Sequence, residues 1–171
     1  MSWSRWGLND PLTRFNAAST DVAARLLYGC FANHAWVAKV VGGRPYEDLG
    51  AVLASAEAAW SELTPAGWLD AFAAHPRIGE RGGSSPAASD REQSAAAGAA
   101  PATLAGLAAE NREYEARFGH VFLISATGRT AEEMLQELRR RMSNDPATEL
   151  LVAAGEQRKI TRLRLERLLG T

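Results

Sequence analysis

The sequence predicts a single all-α domain over residues 1–171. Three observations carry that prediction. Helix starts recur as a capping residue or a proline placed where a missing N–H costs nothing, at Pro45, Thr64-Pro65, Pro101 and Asp145-Pro146. Behind these starts, apolar residues return at three- and four-residue steps, the period of a helix face. The one convincing extended stretch, His120-Val121-Phe122-Leu123-Ile124, is too short and isolated to found a sheet.

Taken in order, the chain reads as loop until Asn9-Asp10-Pro11. Thr20-Asp21 is the expected cap of a helix with Leu26, Leu27 and Phe31 at core spacing. Asn33 caps a shorter one through Trp36, Val37 and Val40, stopped by Gly42-Gly43. Arg44-Pro45 is expected to open a longer helix bearing Leu49, Leu53, Ala56 and Trp60, and Thr64-Pro65 one bearing Trp68, Leu69 and Phe72. Residues 79–89 are rich in Gly, Ser and Pro and read as loop. Ser89 then opens an Ala-rich helix, and Pro101 starts another with Leu104, Leu107 and Tyr114. Thr130 caps a helix enclosing Met134, Leu135 and Leu138. The last helix runs from Asp145-Pro146 through Leu150, Leu151, Ile160 and Leu163 to Leu168.

Bulk properties narrow the function. At 171 residues, 46% hydrophobic and 23% charged, the chain has the composition of an ordinary globular domain. A net charge of −1 gives no footprint for nucleic acid. No apolar run approaches the roughly 20 residues of a membrane span. Cys30 is the one cysteine, which excludes an internal disulfide and suits a reducing compartment. Without a signal-like apolar core near Met1, the expectation is a soluble cytoplasmic protein.

Few residues are placed for chemistry. Trp36, Trp60, Trp68 and Phe72 recur at helical spacing and read as core. Gly82-Gly83 follows no strand and lacks a phosphate-loop pattern. His34, His75, His120 and Cys30 show no paired metal-ligand spacing, so no metal is expected. His75 stands out because Pro76 follows it. Proline disfavours helical geometry in the residue before it, so the imidazole is held where a helix stops and a long loop begins. Two readings stay open there: an imidazolium on a helix C-terminal dipole, or an acid/base titrating near neutrality. Glu92 likewise reads either as the partner of Ser89 in a capping box or as a functional carboxylate. Arg164 shares a row with Ile160 and Leu168, whereas Arg162 lies between Arg158 and Glu166 on a solvated row. An arginine on an apolar row either snorkels to its edge or has an anionic partner.

The run His75-Pro76-Arg77-Ile78-Gly79-Glu80, followed by Ser89-x-x-Glu92-Gln93 and Gly98, resembles the signature of the 2-oxo-4-hydroxy-4-carboxy-5-ureidoimidazoline (OHCU) decarboxylases of urate catabolism. The resemblance extends along nearly the whole chain: Phe15-Asn16, Trp36-Val37, Arg44-Pro45-Tyr46, Asn111-x-x-Tyr114-x-x-x-Phe118-Gly119 and Lys159-Ile160-x-x-x-Arg164-Leu165 all follow in order. It implies an all-helical, cofactor-free and metal-free carboxy-lyase. His75 and Glu92 are the implied catalytic pair. Arg164 and Ser89 are implied substrate contacts, with Pro76 and Gln93 from the motif and Phe118, Gly119, Phe122 and Ile124 from a segment that offers backbone groups to the ligand. The implied substrate is OHCU and the product (S)-allantoin. The resemblance also implies a homodimer and points to functional partnership with hydroxyisourate hydrolase and urate oxidase, while the net charge and the lack of a long apolar run imply no nucleic-acid or membrane partner. His120 departs from the pattern, since many relatives carry Phe there. Two alternatives stand beside this reading: a helical binding module of the same fold without catalysis, and a decarboxylase of a related ureido acid.

Overall fold

The computed structural model describes residues 10–78, 94 and 98–170. Among these, eight helices and no strand are found: α1 (Pro11–Ala17), α2 (Thr20–Cys30), α3 (His34–Gly42), α4 (Leu49–Ser61), α5 (Pro65–Phe72), α6 (Pro101–Phe118), α7 (Ala131–Arg141) and α8 (Pro146–Leu169). The helix expected to open at Ser89 falls largely outside the described residues. The chain divides into two compact units, one holding the described residues through Thr64 with those from Thr161 onward, the other Pro65–Ile160.

In the first unit, the Asp10 carboxylate caps α1 by accepting from Thr13 N–H at 2.7 Å. Ser19, rather than Thr20, caps α2 through Val22 N–H. The buried row of α2 is Ala23, Leu27 and Cys30, at steps of four and three. Leu26 stands one residue round the helix and is 39% exposed, so the core expected of Leu26 belongs to Leu27 alone. Asn33 caps α3 as expected. Trp36 is 1% exposed and donates its indole N–H to the Ala56 carbonyl at 2.9 Å. Phe31 meets Trp36 edge-on at 5.3 Å and Trp60 at 5.0 Å. Each such fully buried aromatic or aliphatic side chain contributes about 1.5–3 kcal/mol.

The helix expected from Pro45 begins instead at Leu49, with Asp48 as its cap. Tertiary bonds take residues 44–46 away from helix. Arg44 Nη1 donates to the Phe15 carbonyl at 2.7 Å and the Ala18 carbonyl at 2.8 Å. Asn16 and Tyr46 bond reciprocally, side-chain amide to backbone, at 2.8 and 3.0 Å. The Tyr46 hydroxyl donates to the Val40 carbonyl at 2.6 Å. A Cβ on Gly43 would collide with that phenol, which is why glycine stands there.

In the second unit, α6 buries Leu107, Asn111 and Tyr114. Leu104 is 38% exposed and Leu69 of α5 39%, so both lie outside the core expected of them. Gly119 ends α6 at φ +76°, a conformation any Cβ would penalise, and its N–H returns to the Glu115 carbonyl. A reciprocal capping box of Thr130 and Glu133 opens α7. Met134, Leu135 and Leu138 then pack with Leu107, Tyr114, Phe122 and Ile124 in one cluster. Residues 121–126 have no regular structure, and Phe122, Leu123 and Ile124 are buried consecutively. Three successive buried side chains mean protein on both sides, not a strand with one wet face.

Candidate active site

α5 unwinds into His75 through tightened turns. Ala74 N–H bonds to the Ala71 carbonyl at 3.2 Å, and His75 N–H to the Phe72 carbonyl at 3.0 Å. Proline then forbids a further helical bond. The residues after it are fastened to α6: Arg77 grips Glu115 bidentately, Nε–Oε1 2.6 Å and Nη2–Oε2 2.9 Å, and Ile78 packs against the Leu107–Tyr114 cluster. His75 and Pro76, both half-buried, therefore sit between two anchored points. Arg77 and Ile78, which follow them, line a cavity of about 200 Å³ together with Leu107, Asn111 and Arg112 among others. Asn111 is 1% exposed; its Nδ2 donates to the Leu107 carbonyl at 2.7 Å, and its Oδ1 has no hydrogen-bond partner among the described residues.

Phe72 also touches the segment after α6, its ring meeting the His120 imidazole edge-on at 5.5 Å. His120 contacts Tyr114 at the same centroid distance and holds Nδ1 3.1 Å from the Val121 carbonyl. The segment lies in no strand, and charged side chains take two of its backbone groups. Arg141 Nη1 donates to the Leu123 carbonyl at 2.7 Å, and Ser125 N–H donates to Glu156 Oε2 at 2.8 Å. Arg141 is wholly buried and pairs with Glu149, also wholly buried, at 2.5 Å. The Tyr114 hydroxyl donates to Glu149 as well, and Asn144 Nδ2 takes the other carboxylate oxygen at 2.8 Å. The Arg141 guanidinium lies 4.6 Å from the Phe122 ring centroid. Burial first, and donation to Glu149 second, push the Tyr114 phenol well above its usual range.

In the first unit, Arg164 is 4% exposed and donates from Nη1 to the Gly29 carbonyl at 3.2 Å. The Arg162 side chain is 65% exposed and pairs with Glu166 at 2.8 Å. The two rows of α8 thus separate these arginines as the spacing requires.

Of the residues singled out from the sequence, His75, Pro76, Phe118, Gly119, Phe122 and Ile124 lie in the second unit, and Phe72 links the His75 turn to the segment after α6. Arg164 lies in the first unit. Ser89, Glu92 and Gln93 lie outside the described residues. Among the described residues, no group of three His, Cys, Asp or Glu side chains could hold a metal ion. Arg141, Glu149 and Glu156 were not anticipated. The signal for Arg141 was present: it extends the apolar row of Met134 and Leu138 on α7, the same kind of position that marks Arg164.

Comparison with known proteins agrees with this architecture. Residues 16–166 match the family model described as OHCU decarboxylase. The chain is 42% identical over 115 residues to the uric acid degradation bifunctional protein TTL of Arabidopsis thaliana, covering 64% of this chain and 36% of that protein. It is 34% identical over 144 residues to the 2-oxo-4-hydroxy-4-carboxy-5-ureidoimidazoline decarboxylase of Bos taurus, covering 78% and 81% of the two chains. The matches to the decarboxylases of Amia calva and Mus musculus span 32% and 34% of those proteins, so the chain covers about a third of several curated relatives. A crystal structure of an OHCU decarboxylase in the presence of (S)-allantoin superposes with a TM-score of 0.76 at 31% identity, over 90% of this chain and all of that one. The architecture is that of an all-α decarboxylase fold. The chain belongs to the OHCU decarboxylase family.

Proposed function

We propose that this protein decarboxylates 2-oxo-4-hydroxy-4-carboxy-5-ureidoimidazoline to (S)-allantoin in urate breakdown. The observation that carries this is the family match over residues 16–166, within which His75-Pro76-Arg77-Ile78 follows the end of α5.

The substrate chemistry makes the reaction feasible for side chains alone. The carboxylate leaves C4, next to the C5=N bond of the ring. As CO2 departs, the electron pair forms C4=C5 and charge passes to the ring nitrogen. The substrate is its own electron sink, so the reaction needs no cofactor to supply one. The protein's tasks are positioning, electrostatic stabilisation and proton transfer. In this proposal His75 engages the C4 hydroxyl and carboxylate region as the principal acid/base. Glu92 orients the ring or ureido N–H groups or shares the proton transfer. Arg164 holds an anionic or carbonyl oxygen with its planar fork. The ring nitrogen takes up a proton, the C4 enol gives up its hydroxyl proton as it becomes a carbonyl, and a proton delivered to one face of C5 yields (S)-allantoin. Pro76, Ser89, Gln93 and the backbone of Phe118, Gly119, Phe122 and Ile124 complete the proposed contacts. A homodimer in a reducing cytoplasm, working beside enzymes that supply the substrate, belongs to the same proposal. The family resemblance supports the proposal, and the relative named as a bifunctional protein of uric acid degradation supports its link to neighbouring steps.

The test is to follow freshly generated OHCU by ultraviolet absorbance and optically active allantoin by circular dichroism. Acceleration of both is expected. Disappearance at the uncatalysed rate, with racemic product, would sink the reading.

A further inference from the structure

We propose that Glu156 is a positioning residue for ligand binding that acts through the backbone of residues 121–126. This rests on the reading above, in which that segment presents backbone groups to the substrate. The segment has no ladder to define its conformation. Two ionic side chains do so instead, two residues apart: Arg141 on the Leu123 carbonyl and Glu156 on the Ser125 N–H. Between them they fix the peptide units on either side of Ile124. Their supports differ. Arg141 is locked into a buried network with Glu149 and Tyr114, so its removal unsettles the core. Glu156 sits at the edge of that core, with an 11%-exposed side chain whose second oxygen pairs with the largely exposed Lys159 at 2.5 Å.

Glu156 therefore holds the far end of the segment at one point, by a charge-assisted bond from a main-chain amide. Without it, Ser125 N–H loses its acceptor and the stretch beyond Leu123 samples other conformations. Binding must then restore the order that Glu156 supplied in advance. The loss falls on substrate capture, while the reacting groups, once bound, are unchanged.

The experiment compares Glu156→Ala, Glu156→Gln, Glu156→Asp and Lys159→Met in the full chain. It measures kcat and KM for OHCU, thermal midpoints, and (S)-allantoin-induced amide shifts of Val121, Leu123 and Ser125 by NMR. Glu156→Ala is expected to raise KM about tenfold with kcat within about threefold. Glu156→Gln should recover most of that loss, because its amide oxygen still accepts from Ser125, and Lys159→Met should match the parent. Wild-type KM in Glu156→Ala, or equal impairment in Glu156→Gln, overturns the proposal. If Glu156→Ala does not fold, Glu156→Asp, whose acceptor is drawn back by one methylene, decides: wild-type KM overturns, a raised KM supports. A parent protein that turns over OHCU but shows no allantoin-induced shifts at these amides would overturn the segment reading, and the proposal with it. A parent without turnover would overturn the function itself. Activity and shifts in the parent, with undiminished affinity in Glu156→Ala, would sink the proposal alone.

Discussion

Arg141 and Glu149 are both withdrawn from solvent and share a 2.5 Å ion pair between the end of α7 and the first turn of α8. Removing either partner strands the other charge in the core, whereas removing both strands no charge and leaves only neutral groups, the Tyr114 hydroxyl, the Asn144 amide and the Leu123 carbonyl, without their ionic partners. Glu149→Ala should lower unfolding free energy by about 3–5 kcal/mol, and Arg141→Met with Glu149→Leu by clearly less. Urea denaturation of the two variants checks this, and a double variant as unstable as the single would contradict it.

The turn carrying His75 is held by backbone bonds and by the Arg77–Glu115 pair. His75→Ala should therefore keep the helical circular-dichroism spectrum while turnover of OHCU falls by about 10²–10⁴. Full activity in that variant would displace His75 from the centre of the mechanism.

The rows of α8 make a paired test. Arg164→Ala should raise KM at least about tenfold, while Arg162→Ala, which breaks an exposed i,i+4 pair with Glu166, should leave kinetics unchanged and cost about 0.3–0.5 kcal/mol or less. Because Arg164 is buried, Arg164→Met belongs beside it to separate lost charge from lost packing. Equal kinetic effects at 162 and 164 would defeat the assignment.

Alkaline stability should report on Tyr114. Its phenol is raised in the folded state, so the unfolded chain releases the proton first. The resulting stability is fully present below the ordinary value of 10.0 and falls as pH rises towards the folded value. Tyr114→Phe should flatten that alkaline decline in pH-dependent melting curves. At the other end, Asp145 is held below 3.8 mainly by its bonds from Thr148, so its contribution is present above that pH and lost as acid protonates it. Asp145→Asn should reduce the acid sensitivity.

Where local chemistry decides structure, the sequence was readable. Asn33, Pro65, Pro101, Thr130 and Pro146 open helices as their capping or proline character requires. Pro45 misled because Arg44 and Tyr46 bond to residues about thirty positions upstream, and no local rule contains those partners. Leu26 misled because Ala23 and Cys30 choose a row that passes through Leu27. The separation of Arg164 from Arg162 was legible from spacing. Arg141 carries a row signal like that of Arg164, but the groups that Arg141 and Glu156 hold at Leu123 and Ser125 are a carbonyl and an amide of an irregular segment. A backbone acceptor or donor has no letter in the sequence. The resemblance, not the periodicity, singled out Glu92 over its capping role.

Cys30 closes the buried row of α2 and is 4% exposed. As the chain's lone thiol, it offers a native-state chemical clock. A disulfide reagent reacts with a buried sulfur only while the surrounding helix is open, so labelling should saturate with reagent at the opening rate. Mass spectrometry would then yield a single-site readout of how often α2 lifts from its neighbours. If labelling instead stays linear in reagent and matches that of a free thiol, the sulfur is reached without any opening.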